Sequence, residues 1–162
     1  MVLGAGTSYG RAAALQELDA AIGQLMAALR DSRTQARMQV AIGADIEPAQ
    51  LFLLRAVALL GEARAGDLAR SCRLDQSTIS RHAKGLLDAG LVQRTPDADD
   101  RRAVRLTLTA AGKRAYKRYE RERAKFLAEA LRGWSAKEAA SLAAVLNRLV
   151  ADLDRARSSP VA

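Results

Sequence analysis

Apolar positions along the chain follow a helical period, then a strand period, then a helical one again. Leu15, Leu18, Ile22, Leu25 and Leu29 fall at spacings of three and four, the stripe of an amphipathic helix. The pattern predicts one long helix from Arg11 to about Ile42, with Gly43 as its stop. A second helix opens at Pro48, where a missing N–H costs nothing because first-turn donors have no partner. Leu51, Leu54, Val57 and Leu60 carry its stripe and Gly61 ends it. A short third helix covers about Ala65 to Ser71. After the tight connection Cys72-Arg73-Leu74, a fourth starts from the N-cap candidate Asp75 and runs to Asp88 or Ala89, where Gly90 stops it.

Leu91 to Arg94 then reads as a short strand, and Ala103 to Leu108 alternates, with Val104, Leu106 and Leu108 apolar against Arg105 and Thr107. The polar loop from Thr95 to Arg102 has turn chemistry. Two short strands around a charged loop, directly after a helix pair, predict a β-hairpin wing. Thr109 is placed to cap a fifth helix over about 110–132. Ser135, with Glu138 three residues on, gives the capping-box pattern of a sixth. In that last helix Leu142, Val145, Leu149 and Leu153 continue a three-four seam.

The fold class expected is therefore mainly α with a small β-hairpin wing: a winged helix-turn-helix plus a helical layer. Residues 1–10 and 158–162 read as flexible tails and 11–157 as a single domain. Within it, 45–109 forms the winged unit, and 11–43 with 110–157 form the flanking helical region. Neither flank can bury its stripe on a central unit of some sixty residues. The expected solution packs the two ends against each other and against a second copy, making Leu15, Leu18, Ile22, Leu142, Leu149 and Leu153 candidate dimerisation residues.

The segment from Ala65 to Leu91 carries the functional reading. A helix-turn-helix needs a second helix whose inner face packs while its outer face meets the major groove. With Ile79 at zero on a helical wheel, Ala83 and Leu86 fall within about 40° of it. Leu87 flanks them, and Leu68, Leu74 and Leu91 are expected to join this inner face. Ser77, Arg81, Lys84 and Asp88 lie opposite, flanked by Thr78 and Ser80. Small hydroxyls let the helix approach base edges closely. An arginine one turn later can bind guanine through two parallel hydrogen bonds, and a lysine suits phosphate. The helix N-terminus offers partial positive charge and N–H groups to another phosphate. Ser77, Thr78, Ser80, Arg81 and Lys84 are therefore the candidate major-groove residues. Arg94, Arg101, Arg102 and Arg105 cluster at the hairpin beside Asp97, Asp99 and Asp100. An arginine on a hairpin tip fits the negative potential of a narrow minor groove. An adjacent carboxylate makes sense if it orients an arginine through a bidentate pair.

Charge agrees with that assignment. The chain has 162 residues and a net charge of +8, a balance that favours a polyanionic partner. Its single cysteine, Cys72, rules out an intramolecular disulfide and reads as a small hydrophobe in a reducing compartment. No apolar run reaches the roughly 18 residues of a membrane span, and the N-terminus has no secretory pattern. A cytoplasmic protein without a membrane partner is expected. One histidine, His82, cannot supply a metal site. Neither a phosphate-binding glycine loop nor a catalytic motif is present. No cofactor, no metal and no enzymatic activity are expected.

With these residues in hand, the chain resembles the MarR family of bacterial transcriptional regulators over roughly Leu15 to Leu153. Its most specific stretch is Gly90-Leu91-Val92-Gln93-Arg94, followed by Asp97-Ala98-Asp99-Asp100-Arg101-Arg102 and then Leu106-Thr107-Leu108-Thr109-Ala110-Ala111-Gly112. The resemblance implies a homodimer joined through the first, fifth and sixth helices, binding a pseudo-palindromic operator in double-stranded DNA, usually as a repressor. It implies that Arg102 enters the minor groove with Asp100 as its orienting partner, and that Ser77, Thr78, Ser80 and Arg81 face the major groove. It also implies a small aromatic or drug-like effector, for which Arg33, Arg37 and Met38 could line a space, although no effector-binding residues are assigned. The chain departs from the peroxide-sensing members, which carry a reactive cysteine in the first helix, and it has Arg64 where a serine or threonine cap is usual. Two other classes share the charge: a non-specific architectural DNA-binding protein, and a helical dimer that binds other proteins.

Overall fold

A computed structural model of the chain describes residues 10–97 and 104–158. Among the described residues seven helices and three strands follow in order: α1 Arg11–Leu29, α2 Ser32–Ile42, α3 Pro48–Leu60, β1 Glu62–Arg64, α4 Ala65–Cys72, α5 Gln76–Asp88, β2 Val92–Pro96, β3 Val104–Leu108, α6 Ala110–Ala130 and α7 Ala136–Ser158. The chain divides into two compact units, Met1–Glu122 and Arg123–Ala162, with the boundary inside α6.

The helix expected over 11–42 is two helices. Asp31 breaks it: its carboxylate accepts the N–H groups of Arg33 at 3.0 Å and Thr34 at 3.1 Å, an N-cap for α2. Gln35 then donates its side-chain amide to the Leu29 carbonyl freed at the end of α1, at 3.0 Å. The apolar seam stops at Leu29, and the Asp-Ser-Arg-Thr sequence that follows is a cap signature the periodicity passes over. The fifth helix ends at Ala130 rather than near 132, and the first hairpin strand runs 92–96 rather than 91–94.

One strand escaped the sequence reading. β1 has three residues, too few to show alternation, and it pairs antiparallel with β3 as Glu62↔Thr107, Ala63↔Leu106 and Arg64↔Arg105. β3 also pairs antiparallel with β2, so the sheet order is β1-β3-β2. The hairpin is thus held along one long edge by the residues that lead into α4.

The core lies between α3, α4, α5 and the inner face of this sheet. Leu53, Leu54, Val57, Leu68, Ile79 and Leu86 are fully buried, joined by Ala63, Leu91, Val92 and Leu106. Burying a side chain of this size stabilises by about 1.5–3 kcal/mol. Leu74, expected on the inner face, is instead exposed. It follows Arg73, which adopts left-handed backbone at φ 56° and turns the chain between α4 and α5. The Leu74 N–H closes that turn on the Ala69 carbonyl at 3.0 Å, which leaves its side chain outside. Cys72 is half-buried at the edge of the core, where burial pushes its thiol up.

Geometry requires glycine at Gly90 and at Gly112. Gly90 ends α5 at φ 66°, a conformation that costs other residues about 1–2 kcal/mol. Gly112, in the first turn of α6, is buried where that turn crosses the start of β2. A Cβ there would stand 1.9 Å from the Leu91 carbonyl oxygen. Thr109 fixes the crossing: its hydroxyl donates to the Gly90 carbonyl at 2.7 Å and accepts the Gly112 N–H at 2.9 Å. Gly112→Ala should destabilise the fold by about 1–3 kcal/mol, because the obstacle is backbone rather than a movable side chain. A lowered urea midpoint at unchanged slope would show it; an unchanged midpoint would mean that the crossing is looser than this geometry.

Candidate nucleic-acid interface

Burial of one face of α5 leaves the other for a partner. Ile79, His82, Ala83 and Leu86 are buried, while Ser77, Ser80, Arg81, Lys84 and Asp88 are exposed and Thr78 is half-exposed. His82 was missed as a core residue. It lies about 60° from Ile79 on the wheel, so the flank of the apolar stripe was the available signal.

The start of α5 is more ordered than its sequence suggests. The Asp75 carboxylate accepts the Thr78 N–H at 2.8 Å, the Thr78 hydroxyl at 2.8 Å and the Ser77 hydroxyl at 2.5 Å. The Ser80 hydroxyl donates back to the Gln76 carbonyl at 2.8 Å. All three hydroxyl protons are therefore committed to the helix and its cap, which leaves the oxygens only acceptor capacity towards a partner. In this state they present acceptors, which complement the amino groups of adenine or cytosine in the major groove. The expectation that N–H groups at this terminus are left for a phosphate is modified as well. The carboxylate of Asp75 already occupies that end, and the outward cations are Arg81 and Lys84.

Three strands bring the hairpin's charges together. Asp97, immediately after β2, has a fully buried side chain. Arg64, at the end of β1, donates to it twice, Nε to Oδ2 at 2.6 Å and Nη2 to Oδ1 at 2.8 Å. Arg105 of β3 donates Nε to the same Oδ2 at 2.7 Å. The register explains the convergence. Arg64 faces Arg105 across β1 and β3, Thr95 faces Arg105 across β3 and β2, and Asp97 lies one strand period beyond Thr95. Arg64 caps α4 only through its backbone, whose N–H reaches Asp67 Oδ2 at 3.3 Å; its side chain belongs to the hairpin instead. Arg94 is exposed on β2. Asp100, Arg101 and Arg102 lie outside the described residues.

Basic residues elsewhere are partly committed. Arg118 donates to the carbonyls of Ala41 and Ile42, closing the end of α2. Arg37 pairs with Glu122 at 2.6 Å and Met38 is buried, while Arg33 is exposed. A groove of about 700 Å³ runs between the end of α3, the sheet and α6, with Gln93, Thr107, Lys113, Tyr116, Lys117 and Glu120 among its walls. Burial, then the neighbouring Glu120, push the Tyr116 phenol up, opposed by Arg55.

The sequence profile of the MarR family matches residues 46–104. The HTH-type transcriptional regulator YxaD of Bacillus subtilis is 33% identical over 105 residues, which are 65% of this chain and 73% of that protein. The chain belongs to the MarR family. It is a DNA-binding transcriptional regulator with the family's winged helix-turn-helix. Solved structures agree on the fold. A MarR family protein from Bacillus stearothermophilus superposes with a TM-score of 0.73 at 23% identity, covering 90% of this chain and 99% of that one. A probable transcriptional regulator from Pseudomonas aeruginosa does so at 0.63 and 28% identity, covering 82% and 98%.

Within this MarR-family unit the cap on α5 has a pH signature. Hydrogen bonds from Ser77, from the Thr78 N–H and from the Thr78 hydroxyl hold the Asp75 carboxyl well below the usual carboxylate range. A depressed folded value means that the ionised carboxylate adds stability above its unfolded value of about 4 and that this is lost as pH falls. Asp75→Ala should therefore melt lower than the parent at pH 7, with the gap narrowing below about pH 4. Melting curves at several pH values check this; a gap that stays constant down to pH 2 would assign the loss to something other than the cap.

Proposed function

We propose that the chain acts in the cytoplasm as a homodimeric, sequence-specific repressor of transcription. One α5 of each copy enters the major groove and one hairpin of each copy enters the flanking minor groove. The observation that carries this reading is the division of α5, with Ile79, Ala83 and Leu86 buried beneath an exposed row of Ser77, Ser80, Arg81 and Lys84. Arg81 is the base-reading side chain and Lys84 a phosphate contact. Ser77, Thr78 and Ser80 supply close acceptors. Arg94, Arg101 and Arg102 act from the hairpin, with Asp100 orienting Arg102.

The same reading divides the chain into a winged unit over 45–109 and a dimerisation region over 11–43 and 110–157. Support comes from the helices that bury nothing. α1 spans 19 residues with none buried, and Leu15, Leu18 and Ile22 are exposed along it. α7 spans 23 residues and none of its residues 136–157 is buried, with Leu142 and Leu153 exposed and Leu149 half-exposed. Apolar stripes of this length on a monomer mark an interaction surface, and symmetric self-association is the common way to cover one. A small aromatic or drug-like effector would release the repressor by binding better to a dimer whose α5 helices are misspaced for the operator.

The test uses a duplex selected by the wild-type protein from random-sequence DNA. Arg81→Ala should cost about 1–3 kcal/mol on that duplex and relax preference at one base position. Arg102→Ala should weaken binding while keeping the base preferences. Unchanged affinity of the Arg102 variant at matched salt would remove the wing from the interface. Equal wild-type affinity for selected and random duplexes would favour an architectural DNA-binding protein instead.

A further inference from the structure

A serine or threonine hydroxyl is by itself an ambiguous reader of bases. It carries one proton and two lone pairs and rotates to suit its partner, so in the major groove it serves an amino group or a keto oxygen equally. At the start of α5 that ambiguity is removed. The Ser77 hydroxyl donates to Asp75 Oδ1 at 2.5 Å and the Thr78 hydroxyl to Asp75 Oδ2 at 2.8 Å. An ionised carboxylate only accepts, so the proton in each bond comes from the hydroxyl. Hydrogen bonds from the Ser77 hydroxyl, the Thr78 N–H and the Thr78 hydroxyl hold the carboxyl well below the usual carboxylate range, and at neutral pH it has no proton to give back. Each hydroxyl can therefore offer a base only a lone pair.

Capping the helix does not call for this arrangement. Asp75 Oδ1 accepts the Thr78 N–H at 2.8 Å, and serine or asparagine cap a helix about as well as aspartate. Both of those also carry a donor. Aspartate has acceptors alone, and it brings a negative charge to the end of a helix in a DNA-binding protein. Asp75 is exposed, so packing does not select the carboxylate either. What the carboxylate adds is a fixed hydrogen-bond polarity for its two neighbours. Those neighbours are the second and third residues of α5, and the N-terminal residues of a recognition helix are the ones that meet base edges.

We infer that Asp75 is a specificity-determining residue that acts through Ser77 and Thr78: it fixes their hydroxyls as acceptors, so that the start of α5 selects the exocyclic amino groups of adenine and cytosine over the keto oxygens of thymine and guanine. This rests on the reading above in which α5 enters the major groove. Every base pair carries one amino group and one keto oxygen there, on opposite strands, so an acceptor decides which strand bears which. Asp75 is a positioning residue and need not touch DNA. Ser80 has the same polarity from another source, since it donates to the Gln76 carbonyl at 2.8 Å, and does not depend on Asp75.

The experiment selects duplexes from random-sequence DNA with the full-length wild type, Asp75→Asn and Thr78→Val, and reads at each position of one strand the preference for adenine or cytosine over guanine or thymine. In Asp75→Asn the Thr78 N–H holds the amide oxygen in the place of Oδ1, where Ser77 still donates to it. The amide nitrogen then stands in the place of Oδ2 and donates to the Thr78 hydroxyl, whose own proton is released towards a base. The amino-over-keto preference at one position should fall by at least about fivefold, the worth of one hydrogen bond, or reverse, while the preferences set by Ser77 and Arg81 stay. Thr78→Val should lose the preference at that same position, and adding Asp75→Asn to it should change nothing there. The ratio is the readout, because removing a negative charge near phosphate raises affinity for all sequences alike. Unchanged preferences in Asp75→Asn would overturn the inference and leave Asp75 a helix cap only. Unchanged preferences in Thr78→Val would overturn it too, as would a wild-type preference for keto bases at the position that Thr78→Val loses. These two outcomes decide the matter even if Asp75→Asn does not fold. If the wild type enriches no sequence at all, the groove reading itself fails, a result distinct from each of these.

Discussion

Ile79 and Leu86 sit two turns apart on α5, fully buried against α3 and α4, and the orientation of the exposed face of α5 follows from that burial. A helix has one rotational setting that places both in the core. In that setting Arg81 and Lys84 must point outward, because 100° per residue leaves no alternative. Truncating either side chain would cost about 2–5 kcal/mol, a large part of the stability of a unit this size. The exposed face is thus held by the core beneath it and needs no contact of its own to stay in place. The hairpin is fixed by a second route. Thr109 and Gly112 bind it to the start of α6, and β1 carries its free edge to the entry of α4. These contacts tie the described part of the hairpin to the helices that carry α5.

Where the sequence was legible, the signal was periodic and long. The α5 stripe, the Asp75 cap, the Ser135–Glu138 box and the Gly90 stop are each local patterns whose geometry is decided within a turn or two of the helix. The break at Asp31 was hidden because a seam at three-four spacing draws the eye across one capped residue. β1 was hidden because three residues cannot display a period, and its existence depends on a partner 43 positions later. Leu74 misled because apolar character was taken as burial, whereas the left-handed turn at Arg73 decides where it goes. The acidic residues of the hairpin were expected to orient an arginine. The structure shows Asp97 doing this for Arg64 and Arg105, and Arg64 could not have been paired with it without knowing that β1 lies in the sheet.

Electrostatics and packing divide the work between the two ends of this chain. The winged unit carries charge, some of it exposed, as at Arg81 and Lys84, and some of it paired, as at Asp97. The flanking helix α1 and residues 136–157 of α7 carry apolar stripes with no fully buried residue. A monomer with two such stripes has unfinished packing, and a pair related by two-fold symmetry would present two α5 helices and two hairpins to one duplex. Two-fold symmetry in such a pair would demand symmetry in the DNA it selects.

That demand gives the most direct measurement of the account. Repeated selection of random-sequence duplexes by the full-length protein should enrich one family of sites with two inverted half-sites, their centres about 10 base pairs or one helical turn apart. Enrichment of a single half-site without its inverted mate would contradict the dimeric arrangement. Absence of any enriched sequence, with binding intact, would contradict the claim that the exposed face of α5 reads bases.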